Sequence, residues 1–108
     1  MRSVRIVFTD TARSDLREIA FGLSEHTQDR RLAIRFVEEL REAVKPLEAF
    51  PESGSIPRDR VLRSSGYRFV VYKEYLLFYL YDREAQTVYI MAVFNGRRDY
   101  MRVMKKFL

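Results

Sequence analysis

Apolar residues recur along this chain with two different periods, and the switches between them predict its elements. Val4, Ile6 and Phe8 alternate with Ser3, Arg5 and Val7, the period of two that a strand imposes. Asp10 follows as an N-cap for a helix beginning near Thr11. In that helix Ala12, Leu16, Ile19, Ala20 and Leu23 share one face, while Arg13, Asp15, Arg17 and Glu18 lie mostly on the other. The polar stretch "SEHTQD" ends it, and Thr27 or Asp29 can cap a second helix. There Ala33, Phe36, Val37, Leu40, Val44 and Leu47 repeat at helical spacing, with Glu38 and Glu39 within reach of Arg35, Arg41 and Glu42 on the wet side. The second helix should stop before Phe50-Pro51. Two such helices with a short link make an antiparallel helical hairpin.

From Pro51 to Gly66 no period is visible, and the segment reads as a loop with a short strand around Val61–Leu62. Loops of this length inside compact domains are often functional. Then the period returns to two in three closely spaced apolar runs. These are "YRFVVY" (Tyr67–Tyr72), "YLLFYLYD" (Tyr75–Asp82) and "TVYIMAVF" (Thr87–Phe94), separated by the turns "KE" and "REAQ". Such spacing predicts an antiparallel meander. The remainder, "RRDYMRVMKKFL", reads as a short basic helix capped by Asp99, with Tyr100, Val103, Met104 and Phe107 on one side; Asn95-Gly96 would supply the positive φ of a tight exit from the last strand. The fold class is α+β: an N-terminal strand, a two-helix hairpin, a three-stranded antiparallel meander and a short C-terminal helix, the helices packed on one sheet face.

The strands add something the element order does not. They are apolar at almost every position, whereas a sheet with one wet face should alternate cleanly. In the central strand one set is Leu76, Phe78 and Leu80, the other Tyr75, Leu77, Tyr79 and Tyr81. Polarity alone would turn the tyrosines outward. Either way a second face needs a cover that two helices cannot provide, and a partner is the expected cover.

Composition narrows the partner. One domain is the expectation for 108 residues, and a hydrophobic content of 47% supports a real core. The net charge of +5 favours acidic partners, whether nucleic acid or an acidic protein segment. The chain has no cysteine, which excludes disulfides, thiolate nucleophiles and thiolate metal sites. No His/Cys/Asp/Glu cluster has ligand spacing, so neither a metal nor another cofactor is expected. No apolar run reaches the length of a membrane span, and the N-terminal one is too short for a signal peptide, so a cytoplasmic protein is expected.

The strand ending "FTD", the helical hairpin, the loop "FPESGSIP" and the run "YRFVVYKEYLLFYLYDREAQTVYIMAVFNGRRDY" together resemble the RelE/ParE superfamily of bacterial type II toxins. The resemblance covers nearly the whole chain, and order and spacing carry it rather than any single motif. It implies a small basic toxin that arrests growth and is silenced by an acidic, partly disordered antitoxin in a hetero-oligomer. Two activities are known there. RelE-like members cleave mRNA on the ribosome without a metal, and ParE-like members poison DNA gyrase. The cleavage would need a base for the 2′-hydroxyl and cations for the phosphorane-like charge.

Carried over residue by residue, the RelE-like pattern is half present. Leu76 stands where that pattern has an arginine, and Val70 where it has a lysine, with Arg68 as the neighbouring basic position. Arg98, or Arg97 with a one-residue slip, keeps the arginine at the end of the last strand, and Tyr100 stands near the terminal tyrosine. These four residues, Arg68, Arg97, Arg98 and Tyr100, are the candidate catalytic or recognition set. Leu76, Phe78, Leu80, Arg63, Tyr72 and Met91 are the expected contact surface for antitoxin or target. A leucine cannot stabilise an anionic transition state, so the resemblance favours the ParE-like activity. A RelE-like mRNA endonuclease and a catalytically inactive binding member remain alternatives.

Single residues have plainer readings. His26, alone in a polar link, is expected to be solvated. Arg58 and Arg60, with Arg63, can form a phosphate-contacting rim or simply face water. Tyr75, Tyr79, Tyr81 and Tyr89 could stack on bases, but core and antitoxin contacts suit them better. Lys105 and Lys106 complement the dipole of the last helix.

Overall fold

The computed structural model describes residues 3–108. β1 (Arg5–Phe8) leads into α1 (Asp10–Thr27), α2 (Arg30–Ala43) and a 3₁₀ turn at Lys45–Glu48; α3 (Arg60–Ser64) precedes β2 (Arg68–Tyr72), β3 (Tyr75–Asp82) and β4 (Thr87–Asn95), and α4 (Tyr100–Met104) with a 3₁₀ turn at Lys105–Phe107 ends the chain. The sheet order is β1-β4-β3-β2, with β1 parallel to β4 and the meander antiparallel. The meander arises where it was expected. Lys73 takes a positive φ of 52° in the two-residue turn, and Gln86 one of 50° before β4.

Asp29 caps α2, its Oδ1 accepting from the Arg31 and Leu32 amides at 3.0 and 3.1 Å. The cap of α1 is Thr9, one residue before the expected Asp10. Its Oγ1 accepts from Ala12 N at 3.2 Å and donates to the Ile90 carbonyl at 2.8 Å. Thr9 thus fastens the helix start to β4 at the point where β1 stops pairing. The expected strand around Val61–Leu62 is instead helical. Asp59 Oδ2 accepts from Leu62 N at 2.9 Å, and the loop's only ladder-like pairing among the described residues is Ser55 with Phe69.

The α1–α2 hairpin covers one sheet face. Leu16, Leu40, Val44 and Leu47 pack there on Leu77, Tyr79, Val88, Ile90 and Val93. Tyr75 and Tyr81 join this layer, so the tyrosine set faces the hairpin and Leu76, Phe78 and Leu80 face away from it. The helices do not all lie on one face as expected. Leu62 of α3 and Met104 of α4, with Tyr67, close over Phe78, Ala92 and Phe94 on the second face. Phe78 and Phe94 stack there with centroids 5.5 Å apart, and Phe78 is fully buried. The chain itself therefore supplies much of the cover first assigned to a partner. Burying a Phe78-sized side chain is worth about 2–3 kcal/mol, enough to hold two short helices in place when several such residues act together.

A bulge lets β4 serve both cores. The register runs Phe78↔Ala92 and then Tyr79↔Ile90, leaving Met91 unmatched. An extra residue reverses side-chain alternation. Val88 and Ile90 consequently face the hairpin, then Ala92 and Phe94 face the second core, with Val93 returning to the first.

Candidate functional site

β4 outruns its neighbour. The β1 pairing ends at Phe8↔Ile90, while β4 continues to Asn95, so its last residues present a free edge toward α1. Asp15 of α1 meets that edge, Oδ2 accepting from Val93 N at 2.9 Å. Burial pushes the Asp15 carboxyl up from its ordinary range; the Val93 amide and the nearby Lys106 and Arg98 charges pull the other way.

The exit from β4 is an Asx turn. Asn95 Oδ1 accepts from Arg97 N at 2.8 Å, and the Asn95 carbonyl accepts from Arg98 N at 3.1 Å. Neither Asn95 nor Gly96 uses a positive φ, contrary to expectation. What favours glycine at Gly96 is proximity: a Cβ there would lie 3.3 Å from the Glu74 carbonyl oxygen, tighter than an ordinary contact. Asp99 then caps α4 as expected, Oδ1 accepting from Met101 N at 3.1 Å.

This turn delivers Arg98, exposed, to a polar cleft of about 580 Å³. Asp10, Ser14, Asp15 and Glu18 of α1 line one wall, and Arg102 and Lys106 line the other with Arg98. Among the described residues none of these three cations is within ion-pair distance of a carboxylate. The cleft can therefore offer cations to an anionic group while α1 holds the strand edge behind them.

The other expected site residues part company. Arg97 is exposed beside Arg98. Tyr100 is half-buried, its ring 5.9 Å from Phe78, so it belongs to the second core's cover. Arg68 lies two strands away on β2; its Nη1 donates to the Gly54 carbonyl at 3.1 Å, next to Tyr79, whose hydroxyl accepts from Gly54 N at 2.9 Å. Arg68 and Tyr79 pin the loop and do not join Arg98. Val70 packs toward the hairpin and Leu76 toward the second core, so the two positions compared with a RelE-like site do not share a face.

The expected contact surface also divides. Phe78 is interior and cannot meet a partner in this fold, because α4 and Phe94 enclose it. Leu76, Leu80 and Met91 are half-buried at the margins of the same core. Arg63 is exposed on α3. Tyr72 belongs to the hairpin side, where its hydroxyl donates to Glu39 Oε1; that bond raises the phenol and lowers the carboxyl.

Sequence reasoning missed Asp15, Arg102 and Lys106. A signal for the first exists: Asp15 is three residues after Ala12 and four before Ile19, at the edge of the apolar stripe rather than opposite it. No cluster of three or more potential metal-ligating side chains exists among the described residues, and none of their helices is long and apolar enough to cross a membrane.

Known proteins share this architecture. A chain of the chromosomal ParDE TA system from P. aeruginosa superposes with a TM-score of 0.71 at 18% identity, over 86% of this chain and 96% of that one. One from the RelBE2 toxin-antitoxin complex of Mycobacterium tuberculosis gives 0.59 at 26% identity, over 88% and 93%. The isolated E. coli RelE toxin gives 0.52 at 14% identity, over 98% and 100%. A comparison with curated protein sequences gives no match. The family model of the ParE toxin of the type II toxin-antitoxin system parDE matches residues 6–100, nearly the whole sheet and hairpin together with the Arg98 turn, and the chain belongs to that family.

Proposed function

We propose that this type II toxin arrests growth by poisoning DNA gyrase, with the Arg98 cleft as its recognition site, and that its cognate antitoxin silences it by covering that cleft. The observation that carries the reading is that no cation on the neighbouring strand β3 faces Arg98. Arg98 stands exposed at the end of β4 with Arg102 and Lys106, while β3 beside it carries no cation: its inward and outward sets are leucine, phenylalanine and tyrosine. Phosphoryl transfer would need cations converging on one phosphate from facing positions. A cation cluster at one end of a strand suits recognition of an anionic surface rather than catalysis of phosphoryl transfer.

The antitoxin reading rests on the same charges. An acidic segment that orders on binding would neutralise Arg98, Arg102 and Lys106 together. Incubating the purified chain with gyrase, ATP and supercoiled plasmid should trap protein-linked linear DNA, and added antitoxin should abolish it. Ribosome-dependent cutting of mRNA, with gyrase unaffected at high toxin excess, would overturn the proposal in favour of the endonuclease reading.

A further inference from the structure

The charge of this molecule is distributed very unevenly. Residues 10–43, which make the hairpin, hold six cations and eight carboxylates. The segments covering the second face are the reverse. Residues 58–64 contribute Arg58, Arg60 and Arg63, and residues 96–108 contribute Arg97, Arg98, Arg102, Lys105 and Lys106. All eight side chains are exposed, and none takes part in an ion pair among the described residues.

The two carboxylates among them, Asp59 and Asp99, are occupied as helix caps. The two segments adjoin, since the Tyr67 and Phe107 rings meet at 6.4 Å where α3 and the C-terminal turn come together. The two segments thus carry a net +6, more than the +5 of the whole chain, and only the cleft side, where Asp10, Asp15 and Glu18 of α1 face Arg98, Arg102 and Lys106, brings carboxylates near them.

From this we infer that the α3/α4 face binds the phosphate backbone of duplex DNA. Six of the eight cations are arginine, whose planar fork pairs bidentately with phosphate. A single strand would call for exposed aromatic platforms on which bases stack. The face has no fully exposed one: Tyr67, Phe78 and Phe94 are buried, Tyr100 and Phe107 are half-buried against the second core, and the exposed phenylalanines, Phe21 and Phe50, lie on α1 and the loop before α3. An acidic protein segment folded across the whole face, beyond the Arg98 cleft, would need apolar anchors there. Of the exposed large apolar residues only Val61 and Leu108 lie here, whereas Phe21, Leu32, Ile34, Phe50, Ile56 and Val71 lie elsewhere. Dense cations without stacking platforms or a broad apolar footing fit a duplex backbone. The molecule measures 43 × 33 × 22 Å, so its longest dimension matches about 12–13 base pairs at 3.4 Å each.

The test is fluorescence anisotropy of a labelled, random-sequence duplex of about 20 base pairs, titrated across ~0.05–0.2 M salt. Four to eight phosphate contacts give a slope of log K on log salt of about −4 to −7. Arg60→Glu/Arg63→Glu and Arg102→Glu/Lys105→Glu should each make that slope shallower by about 2 and weaken binding about 60-fold near ~0.1 M salt. Arg30→Glu/Arg31→Glu, with the same charge change on the hairpin, should weaken it far less. Arg60→Ala/Arg63→Ala, which trims exposed side chains only, gives a milder second pair should the reversal disturb folding.

Equal losses in the hairpin variant would reduce the effect to net charge and overturn the inference. So would tighter binding of single-stranded RNA or of polyglutamate than of the duplex. The inference does not depend on gyrase as target. Duplex binding by a chain that leaves gyrase untouched would retain it, and poisoning by a chain that binds no DNA would overturn it alone.

Discussion

Gly54→Ala isolates the device that holds the long loop to the sheet. A Cβ at this position would lie 2.5 Å from the Tyr79 hydroxyl oxygen, 2.6 Å from its Cε1 and 2.9 Å from its Cζ. Tyr79 is almost wholly buried between the sheet and the hairpin, so the ring cannot swing away, and the loop backbone must retreat. Gly54 does not use a positive φ, so contact alone is at issue and not backbone strain.

Retreat would break two bonds: Gly54 N to the Tyr79 hydroxyl at 2.9 Å and Arg68 Nη1 to the Gly54 carbonyl at 3.1 Å. Each is worth about 1 kcal/mol net, and an overpacked methyl costs about 1–3 kcal/mol. Lower entropy in the unfolded chain offsets about 0.5 kcal/mol. The expected loss is about 3 kcal/mol, or a Tm lower by about 12 °C for a domain of this size.

Urea unfolding followed by far-UV circular dichroism measures it, with Tyr79→Phe and the double variant completing a cycle. Tyr79→Phe alone should cost about 1–2 kcal/mol by orphaning the Gly54 amide. Because that change also removes the nearest clashing atom, the double variant should be at least about 1 kcal/mol more stable than the two costs added. A Gly54→Ala loss under about 0.5 kcal/mol, or strict additivity, would refute the pinning account.

Arg98→Ala should abolish growth arrest on induced expression while leaving the thermal melt unchanged, because the side chain is exposed and holds no ion pair; full toxicity would return the segment to turn and cap. Asp15→Asn keeps an acceptor for Val93 N but removes the charge. Burial raises the folded carboxyl above its unfolded value, so its ionisation opposes folding: the parent should lose stability as pH rises from the unfolded value of 3.8 through the folded one, and the variant should lack that loss. Parallel stability-versus-pH curves would contradict it. Met104→Ala empties a fully buried position over Phe78 and should cost about 2–5 kcal/mol in calorimetry, whereas a loss under about 1 kcal/mol would mean that α4 packs only loosely.

The strands and the hairpin were legible because their signals are local. Two-residue and four-residue turns separate apolar runs, and Asp29 and Asp99 sit immediately before their helices. What escaped depends on distant partners. Thr9 beats Asp10 as a cap because its hydroxyl also reaches the Ile90 carbonyl, 81 residues on. α3 has five residues, too few to show a period, so its cover of the second face was read as a missing partner. The Met91 bulge lies in a run apolar on both faces, where no alternation exists to be broken. Of the candidate site, Arg97 and Arg98 were legible as adjacent cations ending an apolar strand. Asp15 was legible only as a carboxylate at the edge of the apolar stripe, since nothing in α1 names Val93 as its partner.

The parallel pairing of β1 with β4 has a consequence in time. Arg5 pairs with Thr87 and Phe8 with Ile90, partners 82 positions apart. Closing so long a loop is entropically unfavourable until both ends exist, and distant contacts slow folding. β1, made well before β4, is therefore expected to wait, unpaired, for it. Thr9 cannot seat the start of α1 on Ile90, and Asp15 cannot grip Val93, before then. The Arg98 cleft comes into being in that same closing event. On the proposed reading, a chain whose β4 has not yet paired with β1 lacks the Arg98 cleft, and the closing of that pair is the event an antitoxin has to anticipate.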